Sequence, residues 1–333
     1  RCEWILNMRA LVCHEYGPPD HLSIGTLPRP RPKAGQVGVH VRAAAVSYVD
    51  SMMVRDLHQN KHPVPFAPGM AFAGEVTELG EGVTTLSIGQ SVMGLVYDGA
   101  HAEFACGDVT EVFPKAPTLN YVQAAGLVGS HLTSHASLRW EARLRPSETM
   151  LVLGAAGGVG LAAVEIGKAL GARVIAGASS AQKLAMAAAH GADEGVNYAT
   201  EDLRCEVDRL TDGKGVDVIY DPVGGDLHQD AFRTLGWGGR YVIIGFVGGS
   251  VPNFPANRLL VKNRSAVGFV LMHYRRHRTD LLAKTASELC EMVEDGRLQP
   301  NVSRILRLED VPVAIDELRE RKMVGKAVVD MSL

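Results

Sequence analysis

From Arg9 to about Ala116 the apolar and polar positions alternate in short runs cut by glycine and proline: "GQVGVHVRAAAV", "GMAFAGEVTELG", "GQSVMGLV" and "GAHAEFACG". Runs of this length predict short strands closed into an antiparallel barrel or sandwich. From about Ala124 the pattern changes. "YVQAAGLVGSHLTSHASLRW" has helical spacing, and apolar strands then alternate with helical segments: "TMLVLGA", "LAAVEIGKALG", "RVIAGAS", "AQKLAMAAAHG", "EGVNY", "EDLRCEVDRLTDG", "VDVIYDPVG", "LHQDAFRTLGWGG" and "RYVIIGFVG". Strands joined by crossover helices predict a parallel sheet buried on both faces. After "SAVGFVL" one long helix is expected over Thr279–Asp295, and "VPVAIDELRERKMVGKAVVDM" supplies a last helix and strand that return to the first domain. The expected division is 1–123 with 270–333 as one domain and 124–269 as the other. "RALVCHEY" begins only after Met8, so residues 1–7 are set outside the fold as an extension.

The turn between "MLVLG" and "LAAVEIGKALG" carries Gly154, Gly157 and Gly160 in a GxxGxxG spacing. Glycines there allow a tight turn, a close backbone approach to a pyrophosphate and close packing of helix on sheet, while the helix N-terminus offers amide groups to an anion. Placed between strand and helix at the head of repeated βα units, the motif predicts a nucleotide site with contacts at Ala156, Gly157, Gly158 and Val159.

In such a site the end of the second strand faces the adenosine ribose, where a carboxylate would accept from a free 2′-hydroxyl. Here that strand runs into "GASSAQK". Ser179, Ser180 and Lys183 offer two hydroxyls and an ammonium to a 2′-phosphate, and no acid repels it, so NADPH is expected over NADH. The serines also suit the cap of the helix "AQKLAMAAA", and both roles can coexist.

Composition narrows the field. A chain of 333 residues, 46% hydrophobic and 21% charged, has room for two cores. A formal net charge of -3 with interspersed signs gives no polybasic tract for nucleic acid or an acidic membrane. No uninterrupted apolar run of about 18 residues and no signal-type N-terminus is present, which makes a cytoplasmic location the expectation. Cys2, Cys13, Cys106, Cys205 and Cys290 are scattered, odd in number and without a CxxC pair, as free thiols would be. No GxSxG nucleophile elbow occurs.

Taken together, "PGMAFAGEVTELGEGVTTLSIGQSV", "GAAGGVG", "SSAQK" with "GVNY", "VIYDPVGG", "GRYVIIGF" and "GKAVV" resemble the zinc-free medium-chain dehydrogenase/reductases of the NADPH:quinone oxidoreductase type, the group that includes zeta-crystallin. The resemblance runs from about Met8 to Val329. It implies an α/β fold: a Rossmann doubly wound parallel sheet plus a GroES-like β-barrel catalytic domain made from both chain ends. It also implies a homodimer formed through the nucleotide-domain edge strand, here "SAVGFVL". By the same resemblance Lys183 and Tyr198 hold the 2′-phosphate and Thr133 touches the nicotinamide side. Val223 and Gly224 line the adenosine side, Gly245, Phe246 and Val247 flank the cofactor, and Lys326 lies near the mouth.

The zinc-dependent relatives carry a His followed by a Glu where this chain has Met70 and Ala71, and a four-Cys lobe that is absent here. No metal is therefore expected. Oxidation of an unactivated alcohol draws on a metal-bound alkoxide, whereas reduction of an electron-poor acceptor needs chiefly hydride placement and a proton. The family segment carrying Asn-aromatic-x-Asp matches "VSYVDSMMVRDLHQNKHP", with Ser47 for Asn, Tyr48 for the aromatic and Asp50 retained. His58 stands about where a later tyrosine would be, and Met52 replaces a tyrosine of some quinone reductases. Tyr48 is a candidate for packing on the nicotinamide or donating to a carbonyl, Asp50 for ordering the loop, and His58 for either a proton donor or a loop histidine. His131, His135, His228, His273 and His277 show no metal spacing with carboxylate partners and are read as structural or surface residues.

Three functions fit these observations. The first is reduction by NADPH of quinones or related conjugated carbonyls as small-molecule electron acceptors. The second is reduction of enoyl thioesters or alkenals. The third is a non-catalytic NADPH-binding protein, structural or RNA-associated, for which the short basic run "HYRRHR", His273–Arg278, is the only candidate surface and is read as a solvated loop or a partner for acidic groups.

Overall fold

A computed structural model describes residues 6–333, and in it the chain divides into two compact units, the first from the N-terminal side to Gly129 with Arg278–Leu333, the second Ser130–His277. The first unit opens with the hairpin of β1 (Asn7–Cys13) and β2 (Leu22–Pro28), paired antiparallel from Asn7↔Pro28 to Cys13↔Leu22. Asn7 thus belongs to the first strand, and Leu6 accepts a hydrogen bond from the Arg29 amide at 2.7 Å. The expected extension is corrected at these two residues by that backbone pairing; residues 1–5, with Cys2, lie outside the described residues.

Next come β3 (Gln36–Val46), α1 (Tyr48–Met53), β4 (Ala71–Leu79), β5 (Ser91–Leu95), β6 (Phe104–Asp108) and β7 (Val112–Pro114). Alternation sets the inward face of β3: Val37, Val39 and Val41 are fully buried with Phe72, Val76 and Val92 in one apolar cluster. Helix α2 (Tyr121–Ala136) leads into the second unit and continues as a π-helical turn over Ser137–Glu141.

The second unit alternates β8 (Thr149–Leu153), α3 (Gly158–Ala169), β9 (Arg173–Ala178), α4 (Ala181–Ala189), β10 (Glu194–Asn197), α5 (Leu203–Leu210), β11 (Val216–Asp221), α6 (Leu227–Thr234) and β12 (Leu235–Ile243), then α7 (Ala256–Val261), β13 (Ser265–Gly268) and α8 (Leu271–His277). Every strand pairing is parallel, in the order β10-β9-β8-β11-β12-β13. Numbered within this sheet the order is 3-2-1-4-5-6, that of a Rossmann fold, and its switch point falls between β8 and β11. Leu151, Leu153, Ile175, Ile219, Phe232 and Tyr241 share its core.

The chain then returns to the first unit with α9 (Thr279–Glu294), β14 (Arg304–Leu306), α10 (Val311–Arg319) and β15 (Ala327–Asp330). β15 pairs antiparallel with β3, Val329↔Ala44, which ties the C-terminus into the seven-stranded sheet that begins at β14.

Two expectations are corrected here. Helix α6 stops at Thr234, because Leu235 to Gly239 already belong to β12. "HYRRHR" is mostly helical rather than a loop: Tyr274 and Arg275 are buried in α8, and the Tyr274 hydroxyl donates to Glu141. No helix among the described residues is long and apolar enough to cross a membrane.

Candidate functional site

At the switch point the chain turns sharply after β8. Gly154 has φ +59°, a backbone conformation that favours glycine, and a Cβ on Gly160 would sit 2.2 Å from the Gly154 carbonyl oxygen. These two glycines let the first turn of α3 pack onto the end of β8. Gly157 and Gly158 do different work. Gly157 caps α3 without a side-chain bond, and a Cβ on Gly158 would meet nothing within 4 Å. The helix therefore presents first-turn amides, which have no intrahelical acceptors, toward an open backbone cradle of the kind a pyrophosphate fills.

The neighbouring strand ends supply the rest. Lys183 Nζ donates to Ser179 Oγ at 3.1 Å, and Ser180 Oγ accepts from the Lys183 amide at 3.3 Å, capping α4. Capping and a preassembled hydroxyl–ammonium cluster therefore coexist. Tyr198 bonds through its amide to the Ala178 carbonyl at 3.1 Å, and its ring lies beside Gly177, where a Cβ would come within 3.5 Å of Cδ1.

On the other side of the switch point the buried Asp221 ends β11. Its Oδ1 accepts from the amides of Val223 at 2.7 Å and Gly224 at 2.9 Å, and its Oδ2 from the Tyr241 hydroxyl at 2.6 Å. Burial pushes this carboxyl above its ordinary pKa while those three donors pull it down. The loop so fixed joins the next one: the Val247 amide donates to Pro222 at 3.3 Å and the Gly248 amide to Val223 at 2.6 Å. Val223 also packs by Gly154, where a Cβ would meet Cγ2 at 3.0 Å.

Thr133 is half-buried on α2, next to Ser134, whose hydroxyl reaches the Val159 carbonyl at 3.0 Å and the Tyr220 hydroxyl at 2.9 Å. One side of the second unit thus gathers Gly154 to Val159, Ser179, Ser180, Lys183, Tyr198, Val223, Gly224, Gly245, Phe246, Val247 and Thr133. The cradle, the amides and the ammonium cluster fit a dinucleotide. Lys326 lies in the first unit and is buried rather than at the surface; its amide bonds Ser303 Oγ at 3.3 Å.

In the first unit, Ser47 caps α1. The buried Asp50 Oδ2 accepts from the Ser47 amide at 2.7 Å and hydroxyl at 3.2 Å, which holds Tyr48 at the first helical position. Burial raises the Asp50 pKa and lowers that of the equally buried His101, whose Nε2 bonds the Ala45 carbonyl at 3.2 Å. Among hydrogen bonds, Asp50 Oδ1 and His101 Nδ1 find no partner.

His58 is buried, and its Nδ1 lies 3.3 Å from Nε2 of His62. His62 Nδ1 in turn lies 2.8 Å from Asp98 Oδ2. The sequence signal for this line was the spacing of His58 and His62 in "HQNKH"; the Asp98 partner, remote in sequence, had none. His131, read as structural or surface, has a carboxylate partner that it shares with His190. Glu165 on α3 meets His131 Nε2 with one oxygen and His190 Nδ1 with the other, each at 2.6 Å; Glu165 and His131 are buried and His190 is partly buried at the end of α4.

The comparisons with known proteins decide the family. Residues 33–129 match the model "Alcohol dehydrogenase GroES-like domain" and residues 158–287 the model "Zinc-binding dehydrogenase". Over 98% of its length the chain is 35% identical to the Bos taurus "Quinone oxidoreductase-like protein 2", covering 93% of that protein. The chain is a quinone oxidoreductase-like member of the medium-chain dehydrogenase/reductase family. A mycobacterial member solved in complex with NADPH superposes with a TM-score of 0.89 at 28% identity, over 97% of this chain and 99% of that one. The CurK enoyl reductase superposes with a TM-score of 0.86 at 27% identity, again over 97% and 99%.

The zinc of the family model's description does not fit this member. Met70 packs against an apolar cluster and Ala71 is buried at the start of β4. Among the described residues no group of three or more His, Cys, Asp or Glu side chains is arranged to hold a metal ion.

Proposed function

We propose that the protein is an NADPH-dependent reductase of quinones or related conjugated carbonyls. The observation that carries this reading is the Lys183–Ser179 contact of 3.1 Å at the end of β9, with Ser180 on the adjacent cap and no carboxylate from Ser179 to Lys183. That cluster complements a 2′-phosphate by charge and by hydrogen bonding. The glycine turn and the α3 amides would hold the pyrophosphate, the Val223–Gly224 and Gly245–Val247 loops the flanks, and Thr133 the nicotinamide side. Bound there, the cofactor supplies a hydride.

The chain's own residues supply placement and protons. Asp50 fixes Ser47 and with it the first turn of α1, so Tyr48 keeps one orientation toward the acceptor's carbonyl. Stacking reactants at near-attack distance accounts for most of the rate in a reduction of this type. Lys326 is assigned to the mouth.

Reduction of an alkenal or enoyl thioester is the second reading, favoured by the likeness to an enoyl reductase and by the buried His58–His62 pair, since a saturated product needs a proton. The third, a non-catalytic or RNA-associated role, has only a short basic surface to draw on: Arg275 is buried, and His273, Arg276, His277 and Arg278 are exposed.

The test is NADPH oxidation measured against a panel of quinones, 2-alkenals and enoyl-CoA thioesters. Turnover with a quinone or alkenal is expected, and faster with NADPH than with NADH; no turnover with any member contradicts the reading. Self-association through the edge strand β13 is part of the proposal. In β12 and α7, the elements next to that strand, Trp237, Leu260 and Val261 are 74%, 79% and 78% exposed, apolar side chains that a second copy of this edge could cover. Sedimentation should give twice the chain mass, and Leu260→Asp should halve it; a monomeric wild type refutes the dimer.

A further inference from the structure

Three side chains in the first unit form a hydrogen-bonded line that starts at a solvent-exposed carboxylate and runs through two buried histidines. The Asp98 side chain is 41% exposed, His62 is 3% exposed and His58 is 7% exposed. Both ring nitrogens of His62 are engaged, Nδ1 by Asp98 Oδ2 at 2.8 Å and Nε2 by His58 Nδ1 at 3.3 Å. An ionised carboxylate only accepts, so Asp98 fixes the proton of His62 on Nδ1. His62 Nε2 and His58 Nδ1 then hold one proton between them, and any further proton on the pair is balanced by the Asp98 charge.

The surroundings keep this arrangement rigid. The Tyr16 hydroxyl donates to the His62 carbonyl at 2.7 Å, the Phe66 ring stacks on His62 with centroids 5.4 Å apart, and the His58 amide bonds the Met52 carbonyl at 3.2 Å at the end of α1. Burial, His62 and Lys61 work against a charge on His58, and the Asn60 backbone supports it. Lys61 is itself paired with Asp56 at 2.8 Å.

We propose that Asp98, His62 and His58 are a proton-donating relay for the reduction, in which His58 delivers the proton and the His62–Asp98 pair holds the charge that makes His58 an acid. The proposal rests on the reductase reading, because only a reduction consumes a proton. Hydride addition to the β-carbon of a conjugated carbonyl breaks the C=C π bond, forms a C–H bond and leaves an enolate oxygen; on a quinone the hydride bonds one carbonyl oxygen and leaves a phenolate at the other. A ring N–H bond of His58 then breaks as an O–H bond forms on that oxygen, the acceptor having gained two electrons and the cofactor having lost them. The cationic pair becomes neutral, and a solvent proton restores it after the product leaves. His62 and Asp98 are positioning residues in this scheme.

The first measurement is independent of turnover: 15N imidazole NMR titration of the cofactor-free protein. His58 and His62 should titrate as a coupled pair, with midpoints that fall by about one pH unit in Asp98→Asn and recover in Asp98→Glu. The second is the pH profile of kcat with a quinone or 2-alkenal. Asp98→Asn should move the high-pH limb down by the same amount and lower kcat at neutral pH about tenfold with the NADPH KM unchanged, and His58→Gln should lower kcat about a hundredfold. Independent titration of the two rings, unmoved by Asp98→Asn, overturns the relay. Coupled titration with an unshifted kcat limb overturns its catalytic use. Coupled titration with no turnover on any acceptor overturns the reductase reading instead.

Discussion

Burial strips His135 of the water that would stabilise its charge, and together with the nearby Arg139 and His131 holds its pKa down to about 4. The unfolded chain binds this proton near the ordinary value of about 6.5, so unfolding takes up a proton between the two values. Stability from this residue is complete above about pH 6.5 and is lost as the pH falls toward 4, by about 3 kcal/mol in total. His58 and His101, also held down by burial, act in the same direction, while the raised Asp50 opposes them. Thermal midpoints at pH 7 and pH 4.5 should therefore diverge strongly in wild type and less in His135→Gln; an equal acid loss in both would refute the assignment. Single residues were the least legible level in the sequence. Lys183 and Ser179 announced themselves because strand-end chemistry follows local order, but Asp98 reaches His62 across 36 positions, a pairing that only tertiary folding creates.

Among the elements, helix α3 shows most directly how a spacing becomes a site. Gly160 needs to be glycine because the Gly154 carbonyl occupies the space of its side chain, whereas Gly158 faces open space that a ligand can use. Gly160→Ala should destabilise the fold by roughly 1–3 kcal/mol and shrink the thermal shift produced by NADPH. Unchanged melting and an unchanged shift would show that the turn tolerates the methyl group. Long periodic elements such as α9 and the strands β8, β9 and β11 were readable from pattern alone. Short ones were not: α7 (six residues) and α8 (seven) are too short to show a helical period, and α6 gives way to strand at Leu235 because that residue packs with Phe232 and Tyr241 in the core.

At the scale of the molecule, the Rossmann order places the ends of β8, β9 and β11 side by side, and the proposed cofactor surface runs across them. The parallel sheet was legible from alternating strands and helices, and the return of a last strand to the first domain from "VPVAIDELRERKMVGKAVVDM"; that this strand pairs with β3 was not. The order of strands in each sheet was not legible, because periodicity carries no information on neighbours. The chemistry depends on which dinucleotide that surface selects. Fluorescence titration of NADPH and NADH against wild type and Lys183→Ala measures it directly: NADPH should bind wild type at least about tenfold more tightly than NADH, and Lys183→Ala should erase that margin by weakening NADPH alone. Equal affinity of wild type for the two cofactors would contradict the proposal.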